Sequence, residues 1–185
     1  LEIYCQQKWR EVFDTDYHVN VQPHSGTNAN LAAYMAVLQP GDKVLSMALE
    51  SGGHLSHGMW LNASGKLYQF SHYGLNKYGY IDMADFRANL WDVHPKMVVI
   101  GASAYSRQID YEAFHHIIEE YRRITGKQCY MMVDMAHVAG LIAAGLHPSP
   151  FGYADIVTTT THKTLRGARG GLIFCKPLAP RSVLC

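Results

Sequence analysis

The sequence predicts an α/β fold, a mainly parallel sheet covered by helices on both faces. Three observations lead there. Short apolar or β-branched runs alternate with stretches of helical periodicity, the pattern of parallel strands joined by crossover helices. Apolar residues make up 48% of the 185 residues and charged residues only 17%, so a sizeable core can form in one domain. No internal repeat, low-complexity tract or flexible linker interrupts the alternation.

Each element follows from local chemistry. Residues 1–13 carry Leu1, Cys5, Trp9 and Val12 at helical spacing. Residues 28–38 are apolar nearly all round, which predicts a buried helix, and Pro40-Gly41-Asp42 ends it. Residues 43–49 read as a strand and residues 66–70 as a second. Asp82 caps a helix with Met83, Phe86 and Leu90 on its inner side. Residues 96–101 form a short β-branched run expected to be a buried strand. Asp110 caps a long helix with Tyr111, Phe114, Ile117, Ile118 and Tyr121 on one face, closed by Gly126. Residues 128–133, 154–159 and 171–174 complete the set of strands, and residues 176–185 have no obvious place in the core.

Charge and hydropathy exclude several classes. Sixteen Lys and Arg stand against fifteen Asp and Glu, a net charge of +1, so no nucleic-acid partner is expected. The longest apolar stretch, residues 138–146, falls well short of the roughly 18 residues needed to span a bilayer, so no membrane partner is expected either. Cys5, Cys129, Cys175 and Cys185 show no pairing pattern and read as free cytosolic thiols. The chain opens without a Met or a signal peptide, and the start is read as a cut in a longer chain.

Ligands of parallel sheets sit beyond the carboxyl ends of the strands, so polar residues just after strand-like runs are the first candidates. Pro23-His24-Ser25-Gly26-Thr27-Asn28 opens a helix. It reads as an anion cradle, typically for phosphate, or as an ordinary N-cap. In Met131-Met132-Val133-Asp134-Met135-Ala136-His137 a carboxylate ends an apolar run. It needs a cationic partner such as a protonated ring nitrogen, unless it is simply a helix cap beside a structural histidine. Thr158, Thr159, Thr160 and Thr161 run into His162 and Lys163. A lysine at that edge, near Arg166 and Arg169, reads as a Schiff-base nucleophile of lowered pKa, against the plainer reading of a surface lysine. Glu50-Ser51-Gly52-Gly53-His54-Leu55-Ser56-His57 places His54 after a strand in a glycine context that suits stacking on a flat ligand. His54 and His57 have HxxH spacing, but no acidic or Cys ligand follows in support, and no metal is expected. An anion cradle, an aspartate for a ring nitrogen, a stacking histidine and a lysine nucleophile together match what pyridoxal phosphate requires.

The segments PHSGTNAN, LESGGHLSHG, SAYSRQIDY, VDMAHVAGL and VTTTTHKTLRGARGG closely resemble serine hydroxymethyltransferase, a pyridoxal-phosphate enzyme of the aspartate-aminotransferase (type I) fold. The resemblance runs from about residue 17 to residue 174. It implies that Lys163 forms the internal aldimine, that Asp134 pairs with the pyridine nitrogen and that His54 stacks on the ring. It implies phosphate contacts from Ser25, Gly26 and Thr27, and places Ser103 and His137 near the phenolic oxygen. His162 is implied in substrate and reaction specificity, Thr160 in exchange of the lysine for substrate, and Arg169 in shaping the lysine's surroundings. Leu49, Gly53, His54 and Leu55 are implied in contact with folate. The implied reaction moves the hydroxymethyl carbon of serine to tetrahydrofolate, giving glycine and methylenetetrahydrofolate.

The resemblance also implies a homodimer or homotetramer and a cytoplasmic location, with mitochondrial and plastid forms as alternatives. Family chains are more than twice this length. Residues 1–185 are therefore expected to be part of the cofactor-binding large domain, without an N-terminal arm and a C-terminal small domain, and to be inactive in isolation. The competing readings are another type I enzyme, such as a threonine aldolase, and a non-catalytic remnant that binds the cofactor.

Overall fold

The computed structural model describes residues 1–177. The chain runs α1 (Glu2–Phe13), β1 (His18–Asn20), α2 (Gly26–Val37), β2 (Lys43–Met47), a 3-10 turn (Leu49–Ser51), α3 (Ala63–Leu67) and β3 (Gln69–Tyr73). It continues through α4 (Met83–Val93), β4 (Met97–Ile100), α5 (Tyr111–Thr125), β5 (Tyr130–Asp134), α6 (Ala139–Ala143), β6 (Ile156–Thr160) and β7 (Gly171–Cys175).

The strands form one seven-stranded sheet in the order β1-β7-β6-β5-β4-β2-β3. From β3 to β6 every neighbouring pair is parallel, while β7 runs antiparallel to both β6 and β1. The α/β expectation is met. Both faces of the central strands are buried, which explains why they read as continuous apolar runs rather than alternating ones. On one face α4 and α5 press Phe86, Leu90, Phe114, Ile118 and Tyr121 onto Leu45, Val98, Ile100, Met131 and Val133. On the other, α2 presses Ala29, Ala33, Tyr34 and Leu38 onto Val44, Met97, Val99, Met132 and Ile156. The expected caps are present: Asp82 accepts from the amides of Ala84 and Asp85, Asp110 accepts from that of Ala113, and Gly126 closes α5 in the left-handed region.

The structure corrects several element expectations. Of the strand expected over residues 66–70, only Gln69 and Phe70 belong to one, because Asn62 accepts a hydrogen bond from the Ser64 amide and starts α3, which carries Lys66 and Leu67. The strand begins only at Gln69, in register with Lys43. β2 ends at Met47, and Leu49 starts the 3-10 turn. α2 begins at Gly26 rather than at residue 28, capped by Ser25. It is not buried all round: only one side meets the sheet, and Met35 on the other is 70% exposed. In α1, Leu1 and Val12 are exposed, and Phe13 joins Cys5 and Trp9 on the inner side. Antiparallel pairing with β7 identifies β1 as an edge strand, whose single buried residue, Val19, was too little pattern to predict a strand. Lys176 is tied to the sheet through its amide to the Asp155 carbonyl and its Nζ to the Gly152 carbonyl. The rest of the 176–185 tail, with Cys185, lies outside the described residues.

Phe114 is fully buried between Phe86, at a centroid distance of 4.6 Å, and Tyr73, at 5.7 Å. Phe114→Ala should lower stability by about 3–5 kcal/mol through the cavity it leaves, measured as a drop in the urea unfolding midpoint.

Candidate active site

The carboxyl ends of β2, β4, β5 and β6 lie along one edge of the sheet, and the start of α2 joins them there. Its attachment is a backbone hydrogen bond from Gly171, the residue paired with Thr160, to the Pro23 carbonyl. A cavity of about 180 Å³ opens at this edge. Ser25, Gly26, Thr27, His54, Asp134, Thr160, His162, Lys163 and Arg169 line it, so segments far apart in the sequence converge on one volume. A larger hollow of about 890 Å³ lies beside α1, between Arg10 and Lys176, but it lacks a comparable set of groups. Chemistry, not size, selects the smaller one.

Asp134 ends β5 with its side chain about 10% exposed. Burial alone would raise its pKa. His57 Nε2 at 3.1 Å, Asn30 Nδ2 at 2.8 Å and the Ala136 amide at 3.1 Å outweigh that effect and hold the carboxyl well below its usual range. An ionised carboxylate only accepts, so His57 Nε2 must carry a proton toward it. Gly101, at φ +139°, lets β4 pass close by: a Cβ there would lie 2.1 Å from the Asp134 carbonyl oxygen.

His54 faces the same cavity. Its Nδ1 accepts from the Ser56 amide at 3.1 Å and lies 2.7 Å from Ser56 Oγ. Burial lowers its pKa despite the opposing charge of Asp134. Lys163 Nζ lies 3.1 Å from His137 Nε2. An ammonium only donates, so Nε2 is the acceptor. Burial and the neighbouring Lys163 charge both push the His137 pKa down. His162 Nδ1 accepts from the Gly170 amide at 3.4 Å, which fixes its ring beside the lysine.

At the other end of the cavity Ser25 caps α2, and Gly26 faces Thr160 so closely that a Cβ would lie 2.8 Å from Thr160 Cγ2. The hydroxyls of Thr160 and Ser103 are buried without a hydrogen-bond partner among the described residues. A helix N-terminus beside an orphaned hydroxyl suits a phosphate. A cationic ring nitrogen suits Asp134, a flat ring suits His54 and a carbonyl carbon suits Lys163. The residues present fit pyridoxal phosphate.

Other expected site residues stand further out. His137 reaches the cavity through Lys163, whereas Arg166 does not line it. Ser103 is held by its amide to the Gly52 carbonyl, next to the His54 loop. Leu49 and Leu55 are 47% and 50% exposed, and Leu49 lines a neighbouring hollow of about 250 Å³ with His54, His57 and Trp60. Gly53 is buried, with no room for a side chain against the Met47 carbonyl.

Sequence reasoning missed Asn30, Ser56 and Thr158, and weighed His57 only as a metal ligand. A lone buried amide on an otherwise apolar helix was the available signal for Asn30. Asp134, absent from the local HxxH pattern, brings an acidic oxygen within 4.8 Å of the His54 and His57 ring nitrogens. His54 Nδ1, His57 Nε2 and Asp134 Oδ2 are each engaged in the hydrogen bonds just described, and we assign the cluster to that network.

This mixed sheet, with an aspartate ending β5 and a lysine just after β6, has the α/β fold of the type I pyridoxal-phosphate transferases. A family model described as serine hydroxymethyltransferase matches residues 1–182. Two curated relatives named serine hydroxymethyltransferase come from Mycoplasma mycoides subsp. mycoides SC and Mycoplasma capricolum subsp. capricolum. Each is 53% identical over 171 residues, covering 92% of this chain and 40% of the relative. The chain belongs to the serine hydroxymethyltransferase family and spans about 40% of the length of these relatives.

His54, His72 and His137 all sit below the ordinary imidazole pKa of 6.5, primarily through burial. The folded chain therefore binds fewer protons than the unfolded one as pH falls. Their contribution to stability is present above pH 6.5 and lost as pH drops through the folded values. Urea midpoints should fall between about pH 7 and pH 5, and His54→Asn combined with His137→Asn should flatten that slope.

Proposed function

We propose that this chain supplies the cofactor platform of a serine hydroxymethyltransferase that interconverts serine and glycine with tetrahydrofolate as one-carbon acceptor. The observation that carries the reading is the convergence of Lys163, Asp134, His54 and the α2 N-terminus on one cavity. Pyridoxal phosphate, when bound, supplies an electron sink for breaking a bond at the α-carbon of an amino acid.

The chain's residues divide the remaining work. Ser25, Gly26 and Thr27 hold the phosphate, with Thr160 offering its unpartnered hydroxyl. Asp134, kept ionised, holds a proton on the ring nitrogen. His54 lies against the ring, and His137 accepts the Lys163 hydrogen bond and orients the amine. His162 and Arg169 border the lysine, where they shape access for the amino-acid substrate. Leu49, Gly53 and Leu55 form the side from which folate approaches. Segments outside this chain complete the substrate site, and the whole protein works as a homo-oligomer in the cytoplasm. Among the described residues no helix is long and apolar enough to cross a membrane.

The test is covalent labelling of the full-length protein. Pyridoxal phosphate followed by borohydride should leave a stable adduct on the peptide containing Lys163, and Lys163→Ala should abolish it while leaving the urea midpoint nearly unchanged. The loaded wild type should convert serine to glycine only when tetrahydrofolate is present. Absence of the adduct would overturn cofactor binding, and folate-independent cleavage would overturn the substrate assignment.

A further inference from the structure

Asn30 lies on the inner side of α2, 1% exposed, and every polar group of its amide is paired. Nδ2 donates one hydrogen to Asp134 Oδ2 at 2.8 Å and the other to Ser56 Oγ at 2.9 Å. Oδ1 accepts from Thr158 Oγ1 at 2.6 Å. The orientation of the amide is chemically determined. Turned over, its oxygen would face an ionised carboxylate that can only accept.

The consequences run in two directions. Ser56 Oγ accepts from Asn30 and gives its only hydrogen to His54 Nδ1, which carries none of its own. The Ser56 amide points at the same nitrogen, so His54 Nδ1 is an acceptor twice over and the ring proton sits on Nε2, the nitrogen left free. Toward Asp134, Asn30 joins His57 on the same oxygen, and together they favour the carboxylate form. The other groups acting on His54 are Asp134, His57, Lys163 and His137. None of them selects between its two neutral tautomers through a direct hydrogen bond.

We propose that Asn30 is a positioning residue whose amide ties the ring-nitrogen anchor Asp134 to the stacking His54, holding the charge of the one and aiming the Ser56 hydroxyl at the other. The hydroxyl half of this assignment concerns the protein alone. The charge half rests on the cofactor reading above. A single side chain that does not line the cavity thereby acts on both the carboxylate for the ring nitrogen and the histidine for the ring face.

Nitrogen-15 NMR of the imidazoles in the full-length protein without cofactor tests the first half, with the His54 signal assigned by its loss in His54→Asn. Wild type should show His54 in a single Nε2–H state. In Asn30→Asp the introduced carboxyl oxygen accepts the Ser56 hydroxyl hydrogen, and the His54 Nδ1 signal should shift downfield because that nitrogen loses one of its two donors, while the Ser56 amide keeps the tautomer. Thr158→Val, which removes a hydroxyl that bonds Asn30 and neither Asp134 nor His54, should produce a smaller change in the same direction by freeing the amide to turn. An unchanged His54 Nδ1 signal in Asn30→Asp would overturn the assignment, whether or not the protein binds cofactor.

Pyridoxal phosphate carrying a nitrogen-15 ring nitrogen tests the second half. Asn30→Leu deprives Asp134 of a donor and makes it a stronger base. The bound ring nitrogen should move toward its neutral form, with cofactor affinity falling roughly tenfold to a hundredfold, the worth of a hydrogen bond to a charged group. Affinity within twofold of wild type and a fully protonated ring nitrogen would overturn the charge role. Failure of the wild type itself to bind would instead refute the cofactor reading, and the His54 Nδ1 signal would still decide the role of Asn30.

Discussion

A carboxylate at the end of a buried strand must be answered with hydrogen-bond donors, and this requirement organises the site. Asp134 gathers His57 from the loop after β2, Asn30 from α2 and the Ala136 amide from its own loop. Without them, burial would drive the group toward its neutral form, which could not hold a proton on a basic partner. With them, it stays ionised in a setting where its field is weakly screened by water. The position of His57, the polar residue inside α2 and the tight glycine loop after β2 all become intelligible as support for one charge.

The sheet makes this gathering possible. Parallel strands align their carboxyl ends, so β4, β5 and β6 deliver Ser103, Asp134 and Lys163 along one line, and β2 adds His54. Packing on the two faces fixes the strands laterally through Phe86, Phe114 and Tyr34, none of which touches the cavity. Loops alone could not hold these groups in place, because each projects from a different segment of the chain.

Much of the fold was legible in the sequence because its signals are local. Asp82, Asp110 and Gly126 cap their helices as read, and the runs around Val98 and Val133 are strands because they are buried on both faces. Where local signals compete, the reading failed: the Asn62 cap took Lys66 and Leu67 into a helix that hydropathy alone does not reveal. The site was legible where a residue's chemistry is unusual for its position, as with Lys163 after four threonines or Asp134 after an apolar run. Asn30, Ser56 and Thr158 were not, because their roles exist only once 128 positions of sequence separation are closed by folding. A metal-like HxxH pattern likewise acquires its meaning only when β5 places a carboxylate beside it.

Gly171 has consequences beyond pairing. It sits opposite Thr160, donates to the Pro23 carbonyl, and leaves no space for a side chain against the Ser25 carbonyl at 2.5 Å. The loop bearing Lys163 is pinned by backbone hydrogen bonds from Thr161 to Gly170 and from Gly167 to Thr161. The span between the α2 N-terminus and the backbone of Lys163 is thereby set by main-chain contacts. The chain is a ruler whose marks sit on its backbone, and only the reach of one lysine side chain is left to match the length of a ligand.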